Sequence, residues 1–203
     1  MPGTNFTLQA VQKMRLFYGR KDKTQDGSMS TEQMVNTAQD VFVHDGFLTD
    51  EEYKGIYDLF TGATIPWFFN SSVTYGKGPI DSSLNDFQFT HTMYASGRVQ
   101  SPMFDGLAPI LGKLDIKALV RVKANLIPFA EKIVEHDMHV DFPYDAKTTI
   151  FYVNSNNGYT KFETGRIVNS VGNRAVTFPM SIKHCGTTCT DSKIRVVINI
   201  NYF

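Results

Sequence analysis

His136-Asp137-Met138-His139-Val140-Asp141 admits two readings, and the choice between them decides the fold. On a helix, His136 and His139 would share one face as an HxxH pair. The surrounding sequence has little helical periodicity, and the glutamate of an HExxH metal motif is missing. On a strand the period is two, so His139 and Asp141 point the same way and Val140 the other. An imidazole beside a carboxylate supplies two of the three protein ligands of a two-His-one-carboxylate facial triad. That triad suits non-haem Fe(II) and leaves coordination positions open. The strand reading is the one adopted, with His136 solvated or supporting the ligands from behind.

A third ligand has to come from elsewhere. His184 sits at the end of Pro179-Met180-Ser181-Ile182-Lys183-His184, an extended-looking segment. Arg195 follows on the last strand, Ile194-Arg195-Val196-Val197-Ile198-Asn199-Ile200-Asn201-Tyr202. Alternation places Ile194, Val196, Ile198 and Ile200 on one face and Arg195, Val197, Asn199 and Asn201 on the other. An arginine on such a strand is costly unless it meets an anion, and its planar fork suits a carboxylate.

His-x-Asp, a distal His and an Arg on the final strand together resemble the Fe(II)/2-oxoglutarate-dependent dioxygenase superfamily, most closely its prolyl-4-hydroxylase-like branch. Ile150-Phe151-Tyr152-Val153-Asn154 resembles that branch's "iYYLN" strand, and Gly158-Tyr159-Thr160-Lys161-Phe162 its "GGxTxF" segment. Asn173 to Phe178 is similar to the strand before the distal His, and Val43 to Glu52 to the "dnFLtdeEC" opening. Gly158-Tyr159 stands where the branch has a double glycine, and the tyrosine that often precedes His-x-Asp has no clear match; Asn125 falls near that position. Beginning at Met1 with no targeting peptide, the short form also resembles stand-alone oxygenases of marine phages and bacteria.

The resemblance implies a double-stranded β-helix, or jelly-roll barrel, mainly β, with N-terminal and inserted helices packed on one sheet. It implies Fe(II) held by His139, Asp141 and His184, with 2-oxoglutarate and O2 as cosubstrates. Arg195 would pair with the distal carboxylate of 2-oxoglutarate, Tyr152 would add a hydrogen bond to it, and Asn125 would lie along the cosubstrate. The implied reaction hydroxylates an unactivated C–H bond, a peptidyl prolyl or other side chain first, with release of succinate and CO2. An Asp at 141 argues against halogenation, which leaves that position free for chloride.

The rest of the chain fits such a barrel. With 203 residues it is one domain, 41–203, behind an N-terminal extension, 1–40, and long enough to bury a core. Twenty Lys+Arg against twenty Asp+Glu give zero formal charge, so there is no general nucleic-acid footprint. No apolar run spans a membrane and no secretory leader is visible. Two cysteines, Cys185 and Cys189, make no disulfide framework and favour a reducing, cytoplasmic setting, each as a small buried thiol.

Within the extension, Ser30 to Asp40 could form a short helix. Val41-Phe42-Val43 reads as the first strand. Thr49 and Glu52 make a capping box ahead of Tyr53, Ile56, Tyr57, Leu59 and Phe60, an amphipathic helix ending near Gly62. Phe87 to Tyr94 alternates as a strand with Phe87, Phe89, His91 and Met93 on one side. Ser101-Pro102 starts a helix with a Phe104, Leu107, Leu111, Leu114 stripe. Val120 to Leu126 is a strand with Arg121, Lys123 and Asn125 on one face, and short strands follow to the C-terminus.

His44 and His91 have no partner spacing and read as structural. Trp67, Phe68 and Phe69 fit a substrate mouth or the core equally well. Two other functions remain open at this point: a cupin-like barrel using another divalent metal without oxygenase chemistry, and a catalytically inactive jelly roll that binds or scaffolds. Arg195 separates the first from the oxygenases, and the full ligand set argues against the second. Substrate identity and oligomeric state are not legible.

Overall fold

The computed structural model describes residues 40–73 and 86–203. The described residues all belong to one compact unit, Thr37–Phe203. The helix expected over 30–40 lies almost wholly outside them.

The described chain contains eleven strands, two α-helices and one 3-10 turn. They are β1 (Phe42–His44), α1 (Asp50–Thr61), β2 (Phe68–Asn70), β3 (Gln88–Ala95), β4 (Arg98–Val99) and a 3-10 turn (Pro102–Leu107) running into α2 (Ala108–Leu111). Then come β5 (Leu119–Pro128), β6 (Lys147–Tyr152), β7 (Tyr159–Phe162), β8 (Ile167–Asn169), β9 (Arg174–Pro179), β10 (His184–Gly186) and β11 (Ile194–Tyr202). A major antiparallel sheet runs β1-β9-β6-β11-β5-β3-β2, with β4 paired to β3, and a minor sheet runs β10-β7-β8. Isolated bridges Glu135↔Thr187 and His139↔His184 lay the segment 135–139 along the free side of β10.

The central strand β11 is buried at eight of its nine positions, as a strand covered on both faces must be. Its Val196, Ile198 and Ile200 join Phe151, Val122 and Ala124 in an apolar cluster completed by Ile56 and Phe60 of α1, Leu107 and Ile110. The helices therefore cover the outer face of the major sheet. The opposite face contributes Ile150, Tyr152, Val176 and Val197 to a second cluster, which Phe162, Val168 and Ile182 close from the minor-sheet side. This is the jelly-roll sandwich that the strand pattern anticipates.

Local chemistry explains the helix ends. Thr49 accepts from the Glu52 backbone N–H while Glu52 accepts from that of Thr49, so two otherwise unpaired donors are satisfied at the start of α1. Gly62 caps the other end. Tyr57, placed on the apolar stripe by spacing, is instead 41% exposed. The helix expected from Ser101 is a 3-10 turn followed by one α turn. Pro109 has no N–H to give Asp105, so the Ala108 N–H takes that carbonyl one residue tighter.

In β3, Phe89 and His91 oppose Leu126 and Ala124 on the helix side, and a bulge between Thr92 and Tyr94 brings Tyr94 opposite Val122. His91 is structural: its ring nitrogens meet the Pro66 carbonyl and the Ser101 hydroxyl, both at 2.7 Å. His44 is exposed, edge-on to Phe47. Trp67 packs on the outer cluster, whereas Phe68 and Phe69 are 61% and 65% exposed. Both cysteines are free and buried.

Ile198, fully buried where β11 lies between β5 and β6, tests this packing. Ile198→Ala is expected to cost about 2–5 kcal/mol, read from the urea midpoint. A loss under about 1 kcal/mol would show that the outer cluster is not the core.

Candidate metal centre

His139 and His184 face each other across a hydrogen-bonded antiparallel pair: each backbone N–H donates to the other's carbonyl at 3.0 Å. That pairing puts both rings on one side with centroids 4.9 Å apart. Asp141 follows two residues after His139, beyond the bridge, where the backbone bends instead of continuing as a strand. One candidate ligand atom from each of His139, Asp141 and His184 lies within 4.8 Å of the other two. The structure thus assembles the three residues that the sequence singled out.

The donor set is prepared for a divalent metal. Nδ1 of His139 lies 3.1 Å from the Asp137 carbonyl, and Nδ1 of His184 lies 3.2 Å from that of Ile182. A carbonyl only accepts, so each Nδ1 carries the proton and each Nε2 keeps its lone pair for a metal. Burial pushes the pKa of His184 down to about 4, with Asp141 opposing, which keeps the imidazole neutral at pH 7.

Asp141 is held from both sides. Its Oδ1 accepts from Arg121 at 2.8 Å, and its Oδ2 from Asn201 at 2.8 Å and Thr148 at 3.3 Å. Burial raises its pKa, but the nearby His184, Arg121 and the Asn201 hydrogen bond together hold it below the ordinary value. One anionic oxygen donor beside two imidazole nitrogens fits Fe(II).

His139, Asp141 and His184 line a cavity of about 380 Å³ between the sheets, and Arg195 lines the same cavity. Its guanidinium is buried, with the side chain donating to the Ser170 hydroxyl at 2.9 Å, the Tyr159 carbonyl at 3.2 Å and the Thr160 hydroxyl at 3.4 Å. Every one of these acceptors is neutral. Among the described residues no carboxylate pairs with it, and burial lowers its pKa. A buried arginine stays protonated, so this cation calls for an anionic ligand.

The space for Arg195 depends on two glycines. A Cβ on Gly158 would come 2.7 Å from its Cδ, and one on Gly186 would come 3.3 Å from a guanidinium nitrogen. Gly158 thus lets Arg195 approach the backbone closely, and Tyr159, which stands where the "GGxTxF" segment has its second glycine, turns its hydroxyl out to Glu135.

Asn125 lines the cavity, and its buried Oδ1 has no hydrogen-bond partner. Tyr152 is arranged differently from the sequence expectation. Its hydroxyl donates to Thr160 Oγ1 at 2.8 Å, and it is Thr160 that reaches the cavity. The Tyr152 ring lies 5.9 Å from the Arg195 guanidinium carbon, beneath it. Tyr152 supports Arg195 and Thr160 from the core.

His136 is not solvated. It is 6% exposed, its Nδ1 is 3.5 Å from Asp86, and burial pushes its pKa down to about 4. Sequence spacing did not single out Arg121, Thr148, Asn201 or Thr160 as site residues. For Arg121 and Asn201 the polar faces of β5 and β11 were the available signal, since a polar stripe on two central strands has to face something polar.

No family model matches the sequence, and no curated protein matches it. Solved structures do. A 2OG-Fe(II) oxygenase-family oxidoreductase from Burkholderia pseudomallei is 10% identical, covering 90% of this chain and 93% of its own, at a TM-score of 0.58. A Pseudomonas putida prolyl-4-hydroxylase is 12% identical, covering 84% and 98%, at 0.55. The non-haem α-ketoglutarate-dependent epimerase SnoN from nogalamycin biosynthesis is 14% identical, covering 86% and 84%, at 0.57. The chain is therefore built on the double-stranded β-helix fold that these 2-oxoglutarate/Fe(II) oxygenases and prolyl hydroxylases share.

Proposed function

We propose that the protein is an Fe(II)- and 2-oxoglutarate-dependent dioxygenase that hydroxylates an unactivated C–H bond. The balanced reaction converts substrate C–H, O2 and 2-oxoglutarate to C–OH, succinate and CO2. One observation carries the reading: a His-Asp-His donor set and a buried arginine without a counter-anion face one cavity. A metal site alone would not call for Arg195; a dicarboxylate bound at one end to that metal does.

Fe(II) with 2-oxoglutarate would supply O2 activation and the oxidation of C–H. The chain supplies placement. His139, Asp141 and His184 would hold the metal on one face, and Arg121, Asn201 and Thr148 fix the carboxylate orientation. Arg195 and Thr160 would bind the distal carboxylate. A peptidyl prolyl or other side chain is the first substrate class to test. The epimerase on this fold makes the product, not the cosubstrate, the deciding observation for hydroxylation.

The test is an anaerobic titration of Fe(II)-loaded protein with 2-oxoglutarate, followed in the visible for the weak metal-to-ligand charge-transfer band. The band is expected in the wild type and lost in His184→Ala. Iron binding without a band would favour a barrel that uses its metal for other chemistry, and no iron binding would leave a scaffold.

A further inference from the structure

The cavity holds a second cation that nothing in the described chain balances. Alternation along β5 turns Arg121, Lys123 and Asn125 inward, and the register sets Asn201, Asn199 and Val197 of β11 opposite them. Arg121 is committed to Asp141 and Asn201. Lys123 has no acid partner within 4.0 Å among the described residues. Burial pushes its pKa down to about 8, with Arg121 adding to the effect and Asp141 opposing it, so it remains mainly protonated at pH 7. Beside it, the buried amide oxygens of Asn125 and Asn199 have no hydrogen-bond partner.

A charge count shows what is lacking. Arg121 and Asp141 cancel. A divalent metal and the two carboxylates of 2-oxoglutarate also cancel, so two positive charges remain, Arg195 and Lys123, and of these only Arg195 would have a carboxylate, the distal one, beside it. Lys123 sits four residues along the sheet from Arg195, since Asn199 is its partner, or roughly 13 Å at strand rise. One five-carbon acid held by the metal and by Arg195 leaves Lys123 without an anion. Asp137 is also on the lining, but it is exposed at the rim and makes its own contacts. A half-buried ammonium and two buried, unpaired acceptors on one cavity wall are expensive without a ligand.

We infer that the substrate presents a carboxylate to Lys123, with Asn125 and Asn199 accepting hydrogen bonds from N–H or O–H groups flanking it. The inference rests on the oxygenase reading and narrows its substrate class to acids. The cavity is at the small end of ligand pockets, which run from about 300 to 1,000 Å³, and 2-oxoglutarate shares it. The group that enters is therefore compact: a small free organic acid, or an acidic side chain of a peptide.

The test uses the full chain loaded with zinc in place of Fe(II), which is redox-inert, and saturated with 2-oxoglutarate. Calorimetric titrations compare N-acetylated proline, aspartate and glutamate, each as acid and as amide. Two end-capped pentapeptides, one centred on proline and one on aspartate, separate free acids from acidic side chains. Succinate release by the iron-loaded protein is followed with the same probes. At least one acid is expected to bind and to stimulate succinate release while its amide does neither. Lys123→Met is expected to weaken that acid about 30-fold or more with little change in 2-oxoglutarate affinity, and Lys123→Arg to restore part of it.

Equal binding of acid and amide, no acid binding, or tight binding of the prolyl peptide that ignores Lys123→Met would each overturn the inference and leave the oxygenase reading standing. A collapse of 2-oxoglutarate affinity in Lys123→Met would assign Lys123 to the cosubstrate, overturning it differently. If 2-oxoglutarate fails to bind the wild type, the oxygenase reading falls and takes this inference with it.

Discussion

Asp141→Asn is expected to remove metal binding and to lower turnover by at least about 10³-fold, some 4 kcal/mol in activation free energy. The substitution keeps the size of the side chain and removes its charge. It also turns an amide N–H2 toward one of the groups that now donate to Asp141, namely Arg121, Asn201 and Thr148. The two histidines remain, and two neutral imidazoles alone hold a divalent metal weakly. Competition against a chelator reads the affinity, and succinate release reads the turnover. Wild-type affinity in Asp141→Asn would sink the facial-triad assignment.

The same substitution has a cost that the ligand role alone does not foresee. Read only as a metal ligand, Asp141 could be removed with the fold intact. In the structure it is also the counter-charge of Arg121, with side-chain exposures of 11% for Arg121 and 5% for Asp141. Removing one partner of a buried pair costs about 3–5 kcal/mol. Asp141→Asn is therefore expected to melt well below the wild type even without metal. Adding Arg121→Met should recover most of that stability and none of the metal affinity. If the double variant also regained metal, the loss in the single variant would have been misfolding.

Most of the fold could be read from short-range pattern. The alternation of β11 assigned its two faces correctly because a period of two leaves no freedom once one face is apolar. The Thr49–Glu52 box and Gly62 delimited α1 because caps are local chemistry. The grouping of His139, Asp141 and His184 was legible from residue types and their order, although only a bridge at His139 forms where a strand was expected and Asp141 lies on the bend beyond it. What was missed depends on distant partners. Asp86 makes the surroundings of His136, and no spacing announces that contact. Tyr152 was expected at the cosubstrate; its hydroxyl donates to Thr160, and it is Thr160 that lines the cavity, which only the side-chain directions of two strands decide. Lys123 could be placed on the polar face of its strand. That it lacks an acid partner among the described residues is visible only when the side chains around the cavity are in position.

Arg195→Met should give the second large effect, and it separates cosubstrate binding from metal binding. Losing one partner of a buried, hydrogen-bonded charge pair costs about 2–5 kcal/mol, or roughly 30- to 5,000-fold in the dissociation constant for 2-oxoglutarate. The metal ligands do not touch Arg195, so metal affinity without cosubstrate is expected to stay within about threefold. Stability makes a second readout that needs no turnover. In the wild type, 2-oxoglutarate at 100 times its dissociation constant should add about 2.7 kcal/mol to the metal-loaded protein. In Arg195→Met the same concentration should add almost nothing. The ligand-free variant should be no less stable than the wild type, because the substitution removes a buried cation whose described contacts are a carbonyl and two hydroxyls. The Thr160 hydroxyl keeps its bond from Tyr152, so little is left unsatisfied behind it. An unchanged 2-oxoglutarate requirement would move the cosubstrate elsewhere in the cavity, with Lys123 the next cation to examine. A large loss of stability in the ligand-free variant would instead make Arg195 a structural strut, and the cavity would lose the feature that sets it apart from a simple metal site.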